Sequence, residues 1–143
     1  MAFSIEYDQS LPYKQLPFIK GNCPALEISL RNGSFVWRGP GLLDSGSMHT
    51  VLSREYAEPL GIKEVESGER IQVSTFGGPA YLYQFEVEMS FEFEGQSEYF
   101  PSPVCFSASR VGRNILGRIA IFSRLKLGFS ESSERLYLGR ESF

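Results

Sequence analysis

The chain has 143 residues, of which 42% are apolar and 14% aromatic, so it is long enough to form one domain with a substantial core. Fourteen basic residues against seventeen acidic ones give a net charge of −3, which excludes a strongly basic nucleic-acid-binding domain. No apolar run reaches the roughly 18 residues of a membrane span, and the N-terminus lacks the basic-then-apolar layout of a signal peptide. We therefore expect a soluble, cytoplasmic domain that binds neither nucleic acid nor membrane.

Two residue types are scarce enough to limit the possible chemistry. Cys23 and Cys105 lie far apart in the sequence without a nearby histidine, which predicts two buried thiols rather than a metal site or a disulfide framework. No metal ion or other cofactor is predicted. Of the seventeen acidic residues only Asp8 and Asp44 are aspartates, so any chemistry that needs an aspartate has two places to occur.

The N-terminal segment, residues 1–24, is predicted to be an extended arm. Pro12, Pro17 and Pro24 interrupt regular structure, and a helix is disfavoured there. We place the arm before a single domain that spans residues 25–143. The sequence does not decide whether the arm wraps around this domain or joins a dimer.

An all-β pattern begins at Ala25. Apolar and polar residues alternate from residue 26 to 31, which predicts a half-buried strand. Asn32-Gly33 favours a tight hairpin turn into a second strand, Ser34 to Arg38. Gly39-Pro40-Gly41 is then expected to break the chain.

The middle of the chain combines one short helix with two strands. Ser53 as N-cap and Gly61 just past the end predict a helix at about residues 53–60. A strand is predicted over Arg70 to Thr75, followed by a turn at Gly77-Gly78-Pro79. The clearest alternation, over residues 81–93, predicts a long strand with one aromatic and one mainly acidic face.

The last third is predicted to complete the sheet. Residues 98–106 can pair back onto the long strand, with Pro101 and Pro103 indicating an edge or a bulge. Asn114 to Arg118 is expected to open a second short helix. A last hairpin joins residues 125–129 to 135–138, and together these elements predict one compact β domain.

The sequence Leu42-Leu43-Asp44-Ser45-Gly46-Ser47 places an aspartate directly after a buried strand and before a tight turn. Asp-Ser-Gly alone is a common turn signature. The preceding leucine pair, however, draws the carboxylate towards the interior, and chains seldom bury a carboxylate without a partner or a purpose. Asp44 is therefore the candidate for chemistry.

These residues resemble a known family, the retropepsin-like aspartic proteases. The segment 42–52 is similar to their active-site segment, in which two apolar residues precede Asp-Thr/Ser-Gly. A second signature, an apolar pair followed by Gly-Arg that packs behind the active-site loop, is matched by Ile115, Leu116, Gly117 and Arg118. Phe76, Gly77 and Gly78 stand where these enzymes carry a glycine-rich flap. The resemblance covers about residues 25–140 and implies an all-β fold, a closed retropepsin-like barrel with a flap hairpin and one or two short helices.

The resemblance also implies an activity, that of an aspartic endopeptidase. Such enzymes need two carboxylates that share one proton, and this chain carries a single Asp-Ser-Gly motif. The resemblance therefore implies a homodimer in which Asp44 of each chain forms a dyad that activates water. Ser45 would brace the dyad and Gly46 would present its carbonyl to the substrate. The flap residues 76–78 would close over a peptide or protein substrate bound in extended form.

Three residues depart from the family pattern. Met48 and His49 stand where an acidic residue that pairs with the arginine, here Arg118, is frequent, and Ile119 stands where Asp or Asn is frequent. These departures motivate an alternative, a catalytically inactive retropepsin-like dimerisation or peptide-binding module. A plain β-barrel interaction domain with an accidental motif match is a third possibility. His49 is interpreted either as a group near the cleft or as a surface or capping histidine.

Overall fold

The computed structural model describes residues 2–17, 19–109 and 114–141, so Met1 and Phe18 of the predicted arm lie outside the described residues. The described strands are β1 Gln9–Pro12, β2 Lys14–Gln15, β3 Asn22–Cys23, β4 Ala25–Asn32, β5 Phe35–Leu43, β6 Val51–Leu52, β7 Glu69–Thr75, β8 Gly78–Phe93, β9 Gln96–Ser97, β10 Phe100–Ser107, β11 Ile115–Leu116, β12 Leu125–Ser130 and β13 Arg135–Arg140. Short 3₁₀ turns occur at Arg54–Tyr56, Glu58–Leu60 and Val65–Ser67. The all-β prediction is confirmed.

The main sheet closes into a ring. Its strands follow the order β10-β6-β11-β5-β4-β8-β7, and β10 also pairs with β8. Strand β10 therefore has β6 on one side and β8 on the other, which closes the first six strands into a ring and leaves β7 paired with β8 alone. The ring encloses a core whose largest fully buried side chains include Leu30, Leu52, Met89, Phe106 and Leu116.

The first hairpin is present, but its second strand is longer than predicted. Strands β4 and β5 pair from Ala25 with Leu42 to Asn32 with Phe35, so the two turn residues are Gly33 and Ser34. Strand β5 runs through Gly39-Pro40-Gly41, and the predicted break there is wrong. The glycines serve close packing instead, because a Cβ on Gly41 would lie 2.7 Å from Leu116 Cγ.

The long strand β8 organises the rest of the barrel. It pairs with β7 at its start and with β4 and β10 further along. Pro101 and Pro103 lie in the part of β10 that pairs with β8 alone, since only Cys105 and Phe106 pair with β6. This agrees with the edge position predicted for the two prolines.

The two predicted helices differ from the structure. The region 53–60 forms 3₁₀ turns in place of one helix, although it ends as expected at Gly61 with φ +73°. The helix predicted to open at Asn114 is wrong, because Ile115–Leu116 is strand β11, paired with both β5 and β6. The following Arg118–Phe122 segment is an irregular turn, in which Ala120 has φ +86°.

The N-terminal arm packs against its own chain. Strand β1 pairs with β13, which in turn pairs with β12, forming a separate three-stranded sheet. The hydroxyl of Tyr13 donates to Glu131 at 2.8 Å, and Asn22 donates to Glu134 at 2.9 Å. These contacts fix the arm on the last hairpin. No helix in the described part of the chain is long and apolar enough to cross a membrane.

Candidate active site

Asp44 lies directly after β5, where the chain leaves the barrel in a tight turn. Its backbone N–H donates to Leu116 O at 3.1 Å, and its carbonyl accepts from Ser47 N at 3.2 Å. The carboxylate is half-buried, and its Oδ1 accepts the N–H of Gly46 at 2.9 Å. The turn therefore fixes one carboxylate oxygen and leaves Oδ2 with no hydrogen bond to the described residues.

The second motif, residues 115–118, packs against this turn, as the family resemblance implied. Ile115 and Leu116 pair in parallel with Leu42 and Leu43, the two residues that precede Asp44. The strand therefore places its end beside the start of the Asp44 turn. The predicted contact between the two motifs is present.

Gly117 is the point of closest approach between the two segments. A Cβ at this position would lie 2.2 Å from His49 O, 2.6 Å from His49 C and 2.8 Å from Ser47 O. All three atoms belong to backbone, which cannot rotate away as a side chain can. Only glycine therefore allows this packing, although its φ of −89° is open to any residue.

Four hydrogen bonds join residues 47–50 to residues 117–119, and main-chain N–H groups of residues 117–119 donate three of them. Arg118 N donates to Ser47 O at 2.8 Å, and Ile119 N donates to Met48 O at 3.0 Å. Gly117 N donates to the hydroxyl of Thr50 at 3.2 Å. We call residues 44–50 the Asp44 loop, and these bonds fix its second half.

Two buried polar residues, one in the loop and one beside the second motif, were not singled out from the sequence. Thr50 is 1% exposed, and its hydroxyl both accepts from Gly117 N and donates to Ile119 O, the latter at 3.4 Å. Asn114 is also buried, and its side-chain oxygen accepts the N–H of Ser53 at 3.2 Å. The only sequence signal for Thr50 and Asn114 was that each directly precedes a pair of apolar residues.

The predicted flap residues form the tip of the β7–β8 hairpin. Thr75 pairs with Gly78, so Phe76 and Gly77 are the turn residues, and the Thr75 hydroxyl donates to Gly78 O at 2.6 Å. Gly78 has φ +106°, a conformation that favours glycine. The phenyl ring of Phe76 is fully exposed. No hydrogen bond joins this tip to the Asp44 loop within the described residues.

The remaining site residues lie on the surface of the single chain. Ser45 and Gly46 are exposed, as is Arg118. Two surface cavities, of about 410 and 550 Å³, lie elsewhere on the molecule, and neither is lined by Asp44 or by residues 76–78. No group of three or more His, Cys, Asp or Glu side chains that could hold a metal ion occurs within the described ranges.

Comparison with known protein families matches residues 29–118 to the aspartyl protease family, a family of the retropepsin-like clan. A comparison with curated proteins finds no match. The matched segment begins in β4 and ends at Arg118, so it contains the Asp44 loop, the β7–β8 hairpin and the 115–118 motif. It also covers more than half of the chain. The all-β ring and the matched segment agree with each other, and the chain belongs to the aspartyl protease family.

Proposed function

We propose that the chain is an aspartic endopeptidase that hydrolyses peptide bonds through Asp44 contributed by each of two chains. The observation that carries the proposal is the position of Asp44, the only carboxylate between Leu42 and Arg54, on a loop that Gly117 packs against. The other aspartate, Asp8, belongs to the arm, where its carboxylate accepts the backbone N–H of Arg140 at 3.0 Å. The chain therefore offers one candidate aspartate for a chemistry that requires two.

A homodimer supplies the missing carboxylate. Two copies related by a two-fold axis present the same loop to each other, and two carboxylates brought that close cannot both be ionised. The ionised one takes a proton from water, which attacks the scissile carbonyl, while the protonated one donates a hydrogen bond to the carbonyl oxygen.

The neighbouring residues have roles that follow from their positions. Ser45 is exposed beside Asp44, so its hydroxyl is free to hydrogen-bond across the dimer axis. The carbonyl of Gly46 is available to the backbone of an extended substrate, which binds as an added strand. The flap tip, residues 76–78, covers the bound peptide and excludes water, and the exposed ring of Phe76 is then buried.

The dyad is tested by mixing chains with and without the carboxylate. Asp44→Asn keeps an oxygen that can accept the Gly46 N–H, so we expect the variant to fold and dimerise. In an equal, re-equilibrated mixture, about half of the wild-type chains are paired with a variant chain, so activity per wild-type chain falls to about half. An unchanged activity per wild-type chain would show that one chain suffices and would refute the shared dyad.

A second candidate function, a peptide-binding or dimerisation module without turnover, is favoured by the residues beside Asp44. Met48 and Ile119 are both exposed, at 53% and 37%, and both replace residues that are frequently polar or acidic in the family. Such a module would bind extended peptides with equal affinity in its wild-type and Asp44→Asn forms and would cleave none of them. Cleavage that depends on Asp44 excludes this candidate.

A further inference from the structure

Arg118 is an exposed arginine whose backbone is fixed beside the Asp44 loop. Its N–H donates to Ser47 O at 2.8 Å, and Ser47 lies three residues after Asp44. The preceding Gly117 packs directly on the backbone of His49, so this part of the chain cannot move away from the loop by itself. The α-carbon of Arg118 is therefore held at a fixed position relative to the proposed dyad.

The distance from Arg118 to Asp44 suits contact with a substrate residue near the scissile bond. Leu116 O accepts the N–H of Asp44 at 3.1 Å, and Arg118 lies two residues further along, about 7 Å in an extended chain. A peptide bound as a strand advances by about 3.3 Å per residue. The α-carbon of Arg118 therefore lies within a distance from Asp44 that corresponds to about three residues of such a peptide.

The guanidinium of Arg118 has no carboxylate partner in the described part of the chain. The ion pairs there join Arg31 to Glu88 and Arg54 to Glu66. Ile119, the next residue, and Met48, whose main-chain O accepts the Ile119 N–H, are apolar and exposed. The result is a positive charge with unused hydrogen-bond donors on a segment that is bonded to the Asp44 loop and carries exposed apolar residues.

We infer that Arg118 makes the site selective for peptides that carry an acidic side chain within about three residues of the scissile bond. This inference rests on the proposed function. A planar guanidinium binds a carboxylate through two parallel hydrogen bonds, and the interaction strengthens when bound peptide and apolar neighbours exclude water. Because a two-fold dimer presents Arg118 twice, an acidic residue is favoured at equivalent positions on both sides of the scissile bond.

The test compares peptides that differ only in charge. In a peptide that the enzyme cleaves, each of the three positions on either side of the scissile bond is occupied in turn by Glu or Gln. We expect the Glu peptide to have a kcat/KM about tenfold higher at one position on each side, as expected for a charge-assisted hydrogen bond. The ratio should fall as ionic strength rises.

Substitutions at two positions assign the preference to Arg118. Arg118→Gln should reduce the Glu/Gln ratio to about 1. Met48→Asp should also reduce it, because the main chain of residue 48 is bonded to Ile119 N at 3.0 Å and an aspartate there competes for the guanidinium. Met48→Asn, a matched variant of similar shape without the charge, should retain the ratio. Because the readout is the ratio of two kcat/KM values measured with the same protein, a general loss of folded enzyme lowers both values equally and leaves the ratio unchanged.

Binding measurements keep this inference separable from the proposed function. Fluorescence anisotropy of labelled Glu and Gln peptides with Asp44→Asn protein reports the preference without turnover. Tighter binding of the Glu peptide without cleavage by the wild type would refute the endopeptidase and retain the role of Arg118. A ratio near 1 in both assays, or a preference that survives Arg118→Gln, would overturn the inference. The inference is also overturned if Arg118→Gln leaves the Glu/Gln ratio unchanged and alters only the dissociation constant of the dimer, measured by analytical ultracentrifugation.

Discussion

The substitution Gly117→Ala tests whether the packing of two motifs holds Asp44 in place. The added Cβ would lie 2.2 Å from His49 O, whereas ordinary contact begins at 3.4 Å. The backbone of residues 47–50 and that of residues 117–119 must therefore separate by about 1 Å. The φ of Gly117, −89°, is suitable for alanine, so the expected effect is steric rather than conformational.

The size of the effect follows from the hydrogen bonds that cross this contact. Four of them join residues 47–50 to residues 117–119, at 2.8, 3.0, 3.2 and 3.4 Å. A separation of about 1 Å lengthens each beyond hydrogen-bonding distance. At about 1 kcal/mol net for each bond, the free energy of unfolding should fall by about 4 kcal/mol. When the loop shifts, Asp44 moves with it, and a displacement of a catalytic group by about 1 Å can reduce the rate of cleavage about 100-fold.

Urea denaturation followed by circular dichroism measures the stability change, and peptide cleavage at a temperature where both proteins are folded measures the catalytic one. Gly77→Ala is the matched control for stability, because the nearest atom to its Cβ is Thr75 Oγ1 at 3.8 Å. We expect this control to remain within about 0.5 kcal/mol of the wild type. If Gly117→Ala destabilises the protein by less than about 1 kcal/mol with an unchanged denaturant slope, the loop does not depend on this contact.

Two further predictions concern a buried hydroxyl and a buried phenol. Thr50→Val removes the acceptor of the Gly117 N–H and should lower the free energy of unfolding by about 1–3 kcal/mol, whereas the exposed Thr75→Val should change it by less than about 0.5 kcal/mol; equal effects in denaturant titrations would contradict this reading. Burial and the bond to Glu131 raise the pKa of Tyr13 to about 12, from 10.0, so the folded state favours the neutral phenol. Its stabilising contribution is complete below pH 10 and is lost as the pH rises from about 10 towards 12. Tyr13→Phe should therefore flatten the stability profile in this range, and a profile as steep as that of the wild type would refute the assignment.

The strands that the sequence predicted well are those with strong local alternation. The apolar positions 26, 28 and 30 are buried in β4, and the alternation over 81–93 corresponds to β8. In β4 and in the second half of β8, where Val87, Met89 and Phe93 are buried, one side of the strand faces the core and apolar residues therefore alternate with polar ones. At the start of β8 the predicted faces are wrong, because Tyr81 is exposed and Leu82 is buried. The main chain of the Asp44 turn was also predictable, because Asp-Ser-Gly has its own turn chemistry.

The failures occur where pairing between distant residues overrides local signals. The sequence Gly39-Pro40-Gly41 is typical of a break in regular structure, yet this segment continues β5 because it pairs with β4. Leu116 packs so closely on Gly41 that a larger side chain would not fit there. Ile115–Leu116 is too short for any periodicity to distinguish a strand from a helix, and its pairing with Leu42 and Val51 decides the outcome. Thr50 and Gly117 likewise join across 67 positions, so no local pattern could have indicated their hydrogen bond.

Met48 and Ile119, two of the residues that depart from the family pattern, take part in the framework around Asp44 through their main chains. Asp44 is fixed through the main chain of Gly46, Ser47 and Leu116. Met48 contributes its carbonyl to this framework, while its side chain is largely exposed. Replacing an acidic side chain at that position therefore leaves the support of the carboxylate intact and changes the charge of the surface beside it. For this reason the departures bear on which peptides the proposed site would recognise more than on whether the Asp44 loop can form.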